Sequence, residues 1–263
     1  MVQYVYIDGA HLRRAADEYA ATYFGGDSII MTMLQMSEQG CLRKYYYDCS
    51  PPRLENEPNE DFARRISPTE NLFARLRRME GYHVHLGETV GVGGKARQKG
   101  VDVQLTTHML THSFRGTVER AILIAGDGDF VPLVKALVDE GTYVTLMSRP
   151  SNTSSRLIDA ADIYRPFDPF NILGLASEQF RQKHHHYMRW ASAELVIEGS
   201  GIDKGLKLLH RGMSSEGTAQ LYGEGEVRLF CSRGEGNWMH RRFPSQAVMD
   251  QYLRDLSIQV TWE

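Results

Sequence analysis

Little in this sequence marks a secreted or membrane-spanning chain. Its three cysteines, Cys41, Cys49 and Cys231, are scattered and odd in number. Neither a disulfide framework nor a cysteine-rich zinc module is therefore expected, and a reducing compartment is. No apolar run approaches the roughly 20 residues that cross a bilayer. The opening MVQYVYIDGA lacks the basic region and long apolar stretch of a secretory signal. A cytoplasmic protein without membrane contact is the expectation. Charge of one sign is scarce too: the formal net charge of -3 gives no global pull toward nucleic acid, so any basic surface must be local. Internal repeats and low-complexity tracts are absent. What is present, 42% hydrophobic and 24% charged over 263 residues, is a globular composition with room for an ordinary domain and a smaller one.

Short β-branched and aromatic runs alternate with helical stretches. Tyr4–Ile7, Arg43–Asp48, Tyr82–Leu86, Ala121–Ala125 and Tyr143–Met147 read as strands. His11–Ala21, Glu70–Glu80, Val101–Thr111 and Phe130–Asp139 read as helices, with a polar loop over 51–60 and a flexible basic segment over 91–100. This alternation predicts an α/β domain over residues 1–168, a three-layer, Rossmann-like parallel sheet with helices on both faces. Residues 169–263 read as a smaller α+β domain. It is expected to hold a His- and Arg-rich helix over 177–196, β-like runs at Thr218–Tyr222 and Glu226–Cys231, and a closing helix Ser245–Leu256.

The stretch Ala125-Gly-Asp-Gly-Asp-Phe130 follows the apolar run Ala121–Ile124 directly. Asp and Gly are turn formers, so an acidic turn is one reading. A ligand site is the other, because open α/β sheets bind just outside the carboxyl ends of their strands. Asp8 holds the same position after the first strand as Asp127 and Asp129 do here. Asp102 joins them if the helix from Val101 starts at that edge; otherwise it complements the helix dipole. Four carboxylates brought close repel unless a cation neutralises them. Hard oxygen donors with open positions suit Mg²⁺ or Mn²⁺, and no Cys or His stands at zinc-ligand spacing among these segments.

Three motifs in order make the chain similar to a known family. Tyr6-Ile-Asp-Gly9, Lys99-Gly-Val-Asp-Val-Gln-Leu105 and Ala125-Gly-Asp-Gly-Asp-Phe-Val-Pro-Leu133 resemble the NYN nucleases, a PIN-like group that includes the LabA-type proteins. The ending Ser155-Arg-Leu-Ile-Asp-Ala-Ala-Asp162 resembles the family's last helix and strand. The resemblance covers about residues 2–168. It implies a PIN-like fold and a metal-dependent nuclease, with Asp8, Asp102, Asp127 and Asp129 as both catalytic residues and holders of Mg²⁺ or Mn²⁺. It implies RNA as the usual substrate, with single-stranded DNA as the alternative. Two positions depart from the pattern: His11 stands where Asn is common, and His108 where many members carry a further Asp.

Other features bear on partners. Lys95, Arg97, Lys99 and His11 are candidates for binding substrate phosphates, which adds affinity without sequence readout; a solvated loop is the plain alternative for the three cations. Asp48 reads as a turn residue or a fifth carboxylate. Tyr45-Tyr-Tyr47 alternates across a strand, so at least one ring is core rather than a stacking platform. Three neighbouring helical residues point about 100° apart, which argues against a metal at His184-His-His186. Trp190, Trp238 and Trp262 fall in the C-terminal domain, the place for a protein partner or for self-association. A haloacid-dehalogenase-type phosphatase needs a second acid two residues after Asp8, where Ala10 stands. A non-catalytic nucleic-acid-binding or regulatory module on the same fold is the remaining alternative.

Overall fold

The structure is a computed structural model, and it describes residues 1–29, 31, 41–91, 97–184, 195–197, 207–214, 217–224, 226–232 and 237–263. Two compact units emerge, Met1–Phe167 with Gly174–Ser177, and Asp168–Leu173 with Glu178–Glu263.

The first unit runs β1 (Gln3–Asp8), α1 (Gly9–Tyr23), β2 (Cys41–Asp48), α2 (Asn59–Leu76), β3 (Tyr82–Leu86), β4 (Glu88–Val90), β5 (Arg97–Lys99) and α3 (Val101–Phe114). It continues through β6 (Arg120–Ile124), α4 (Val131–Asp139), β7 (Tyr143–Ser148), α5 (Ser155–Ala160) and β8 (Ile163–Pro166). Six strands pair in the order β3-β2-β1-β6-β7-β8, all parallel. A parallel sheet is covered on both faces, which is why its central strands are apolar without alternation. Tyr45 and Tyr47 join a core with Leu105, Leu123, Leu133 and Val144 beneath α3 and α4. Tyr46 points the other way and meets Phe73 of α2, ring centroids 6.2 Å apart. All three tyrosines are buried. The outcome is the expected α/β sandwich.

Two expectations change here. The helix expected over 70–80 begins eleven residues earlier, at Asn59, and ends at Leu76. Only Leu72, Phe73 and Leu76 are buried, so the first turns show no apolar stripe, and Pro68 sits inside the helix although it lacks a backbone donor. The basic segment expected to be irregular supplies β5, which pairs with β4 as an antiparallel hairpin.

Chain order after β8 is α6 (Pro169–Leu175), α7 (Glu178–Lys183), β9 (Leu195–Ile197), β10 (Leu208–Ser214), β11 (Gly217–Glu224), β12 (Glu226–Ser232), β13 (Asn237–Phe243), α8 (Gln246–Asp255) and β14 (Val260–Trp262). In the second unit six strands form an antiparallel sheet, β14-β10-β11-β12-β13-β9. Alternate residues Leu221, Leu229 and Phe243 are buried, as are Met249 and Leu253 of α8. Phe243 packs on Tyr252, centroids 5.2 Å apart. The Ser245 hydroxyl accepts from Val248 N at 3.4 Å and caps α8. This is the expected α+β architecture, with two differences. Of the helix expected over 177–196, only the short α7 is helical and residues 195–197 are strand; the stretch between, including His185, His186 and Trp190, lies outside the described residues. The chain also closes on β14 rather than on a helix, which pairs with β10.

Candidate active site

Strand order reverses at the centre of the first sheet, where β1 leads outward to β2 on one side and β6 leads to β7 on the other. Such a switch point leaves a crevice at the carboxyl ends of the two central strands. Register fixes what lines it. Ile7 pairs with Ile124, so Asp8 and the turn from Ala125 leave adjacent strands at the same edge. Neighbouring strands lie about 4.8 Å apart, and residues 119 positions apart become neighbours.

Each of the two aspartates begins a helical turn. Asp8 precedes α1, and its Oδ1 accepts from His11 N at 3.0 Å, a capping bond that explains an acid at this position. Asp127 precedes a single 3-10 turn over Gly128–Phe130, and its Oδ1 accepts from Asp129 N at 2.9 Å. Asp8 is buried, and Asp127 and Asp129 are exposed. Gly100 precedes α3 with φ 86, a left-handed conformation that favours glycine, and no side chain caps that helix. Asp102 lies exposed in its first turn.

Electrostatics ties these residues together. Burial raises the pKa of Asp8 above the ordinary carboxylate value, against the lowering effect of the His11 amide and the nearby Arg14 and Arg13 charges. Asp102 is raised too, first by partial withdrawal from water and then by the negative charges of Asp8, Asp127 and Asp129. Like charges disfavour one another's ionisation only at short range. Their oxygens are the donor set that Mg²⁺ or Mn²⁺ takes. Among the described residues, however, no group of three or more His, Cys, Asp or Glu stands in metal-holding geometry.

Asp48 has a different role from a fifth ligand. It ends β2 with no exposed surface, accepts from Tyr46 Oη at 3.0 Å and from Cys49 N at 2.7 Å, and forms an ion pair with Arg13. Gly9 is required beneath it, since a Cβ there would lie 2.4 Å from Asp48 Oδ2.

Of the phosphate-binding candidates, Lys99 is exposed at the end of β5. Arg97 lies in β5, but its side chain is outside the described residues, as is all of Lys95. His11 is buried against Gly126, where a Cβ would lie 2.5 Å from His11 Cε1. Burial and the Arg14 charge push its pKa down to about 4. With Arg14, Glu18, Gly126, Asp127 and Asn152 it lines a cavity of about 400 Å³. Arg14 and Glu18 escaped the reading of the sequence, although their three- and seven-residue spacing from His11 on one helix was a signal.

His108 faces away from the carboxylates. Its Nδ1 is 2.9 Å from Tyr47 Oη, and His112 Nδ1 is 2.8 Å from Tyr6 Oη. His83 stacks on Tyr45 and His85 on Tyr47, centroids 5.0 and 5.1 Å apart, and His85 meets His108 at 4.5 Å. Four histidines and their tyrosine partners thus seat α3 on β1, β2 and β3.

Comparison with known proteins follows this geometry. The NYN domain model matches residues 4–168. A solved structure of a protein of unknown function from Vibrio parahaemolyticus is similar at 21% identity, over 63% of this chain and 92% of that one, with a TM-score of 0.44. No curated protein matches the chain.

Proposed function

The chain belongs to the NYN domain family, and from that premise we propose that it is a metal-dependent ribonuclease, hydrolysing phosphodiester bonds in RNA. The observation that carries the reading is the Ile7–Ile124 register, which brings Asp8 and the Asp127 turn to one strand edge; beside them the pKa of the Asp102 carboxyl is raised, first by burial and then by the charges of Asp8, Asp127 and Asp129. These four residues would hold Mg²⁺ or Mn²⁺. The bound ion supplies a water of lowered pKa and neutralises charge on the leaving oxygen.

The chain's own residues do the rest. Asp8 and Asp127 are each oriented by a capping bond to a main-chain amide. Lys99, Arg97 and Lys95 contribute affinity for the phosphate backbone. A protein partner or a second copy of the chain is assigned to the C-terminal unit. Among the described residues no helix is long and apolar enough to cross a membrane, and the cytoplasm is the proposed location.

One observation favours a second reading, a non-catalytic nucleic-acid-binding module: among the described residues no cluster of three or more His, Cys, Asp or Glu stands in metal-holding geometry. Labelled RNA incubated with Mg²⁺ or Mn²⁺ separates the two. The nuclease reading expects cleavage by the wild type and none by Asp8→Asn, Asp102→Asn or Asp127→Asn, each still folded. RNA bound but uncut by the wild type in both metals establishes the binding module instead.

A further inference from the structure

Beside the carboxylates, α1 carries a second row of polar side chains. His11, Arg14 and Glu18 share one helix face over two turns. With Gly126, Asp127 and Asn152 they enclose the cavity of about 400 Å³, toward the lower end of the roughly 300–1,000 Å³ of small-ligand pockets. Its size suits a single small polar unit and not a duplex.

The walls have distinct chemistry at the two ends. His11 is 5% exposed, and its Nε2 is buried with no hydrogen-bond partner. Leaving a buried polar atom unpaired is unfavourable, and a ligand oxygen would relieve it. Arg14 is exposed, and among the described residues its Nε donates to Ala10 O at 3.4 Å. It pairs with no acid among the described residues, so its guanidinium is available to an anion. Glu18 lies one to two turns further along. It is held by Asn152 Nδ2 at 2.7 and 2.6 Å and by an ion pair with Arg149, whose guanidinium lies over the Tyr19 ring at 4.9 Å. An ionised carboxylate accepts and never donates. That end therefore takes hydroxyl hydrogens.

We infer that this cavity seats one ribonucleotide unit beside the scissile bond, with Arg14 and His11 on phosphate oxygens and Glu18 accepting from the ribose 2′-hydroxyl. The assignment rests on the nuclease reading and adds to it the sugar that the site selects. The 2′-hydroxyl is the group that tells RNA from DNA at a given site. A hydrogen bond from it to a charged acceptor is worth roughly tenfold in affinity.

The test is titration of the full chain, without metal, by AMP and by dAMP, followed through His ring resonances in NMR spectra. The wild type should bind AMP about tenfold more tightly than dAMP and shift the His11 signals. Arg14→Gln should weaken both nucleotides alike. Glu18→Gln, which keeps an acceptor but loses the charge, should narrow the preference while dAMP affinity holds, and Glu18→Ala should remove it; should those variants unfold, Glu18→Asp, which keeps the charge but shortens the reach, should narrow it. Equal affinity of the wild type for the two nucleotides, no binding of either, or unmoved His11 signals overturns the assignment. Cleavage is scored separately with Mg²⁺ or Mn²⁺. Cutting without a sugar preference removes the cavity assignment and leaves the nuclease; a preference without cutting does the reverse.

Discussion

Arg13→Met is the substitution whose outcome the structure constrains most closely. Asp48 has no exposed surface, while Arg13, its ionic partner, keeps 27% of its side-chain surface in water. Removing one member of a buried pair typically costs about 3–5 kcal/mol, because the other charge stays buried without compensation. Here Asp48 retains two donors, Tyr46 Oη at 3.0 Å and Cys49 N at 2.7 Å, and water can reach the vacated guanidinium position. The expected cost is therefore at the lower end, about 3 kcal/mol. For a domain of this size that lowers the unfolding midpoint by roughly 6–12 °C. The double variant Arg13→Met, Asp48→Asn removes both charges and keeps the amide bond from Cys49, so it should recover more than half of the loss. Thermal melts of wild type, both singles and the double give the coupling energy directly. If Arg13→Met costs under about 1 kcal/mol, as an exposed pair would, and the cycle shows no coupling, the buried ion pair is refuted. Stabilisation of Arg13→Met by Mg²⁺ beyond that of the wild type would return Asp48 to the list of metal ligands.

Three further outcomes follow from the same geometry. Asp102→Asn removes a charge repelled by three others, so its metal-free melting temperature should equal or exceed that of the wild type, while any gain on adding Mg²⁺ shrinks; a loss of several degrees without metal would contradict the repulsion. Gly126→Ala places a methyl 2.4 Å from Asn152 O and 2.5 Å from His11 Cε1, an overpacking cost of about 1–3 kcal/mol that denaturant unfolding would register. The histidine layer makes stability acid-sensitive. Burial lowers His85 and His112 from 6.5 to about 4, helped by neighbouring histidine charges. The unfolded chain thus binds more protons between these values, and the layer's contribution is complete above pH 6.5 and lost as pH falls toward 4. Urea midpoints that stay level from pH 7 to pH 5, or a slope that His85→Phe leaves unchanged, would count against it.

How much of this was legible differed by element. Strands β1, β6 and β7 announce themselves because a strand buried on both faces is apolar throughout. The first turns of α2 do not, since Phe62 and Ile66 are the only large apolar residues before Leu72 and Pro68 interrupts the pattern. The turn at Asp127 reads from Gly-Asp-Gly-Asp, but its pairing with Asp8 depends on the Ile7–Ile124 register, a long-range fact that local spacing does not contain. The histidine layer failed for the same reason. His83 and His85 alternate along β3, and His108 and His112 are one helical turn apart, so each pair declares a shared face. Which two faces meet is decided by α3 crossing over β2 and β3.

The capping bonds of Asp8 and Asp127 carry a stereochemical consequence. In each, Oδ1 is committed to a main-chain amide, at 3.0 and 2.9 Å respectively. Oδ2 of each makes no capping bond, so it is the oxygen of each group less engaged by the main chain. Asparagine at either position keeps the carbonyl that holds the amide and removes the charge alone, which makes it the cleaner probe of chemistry than alanine.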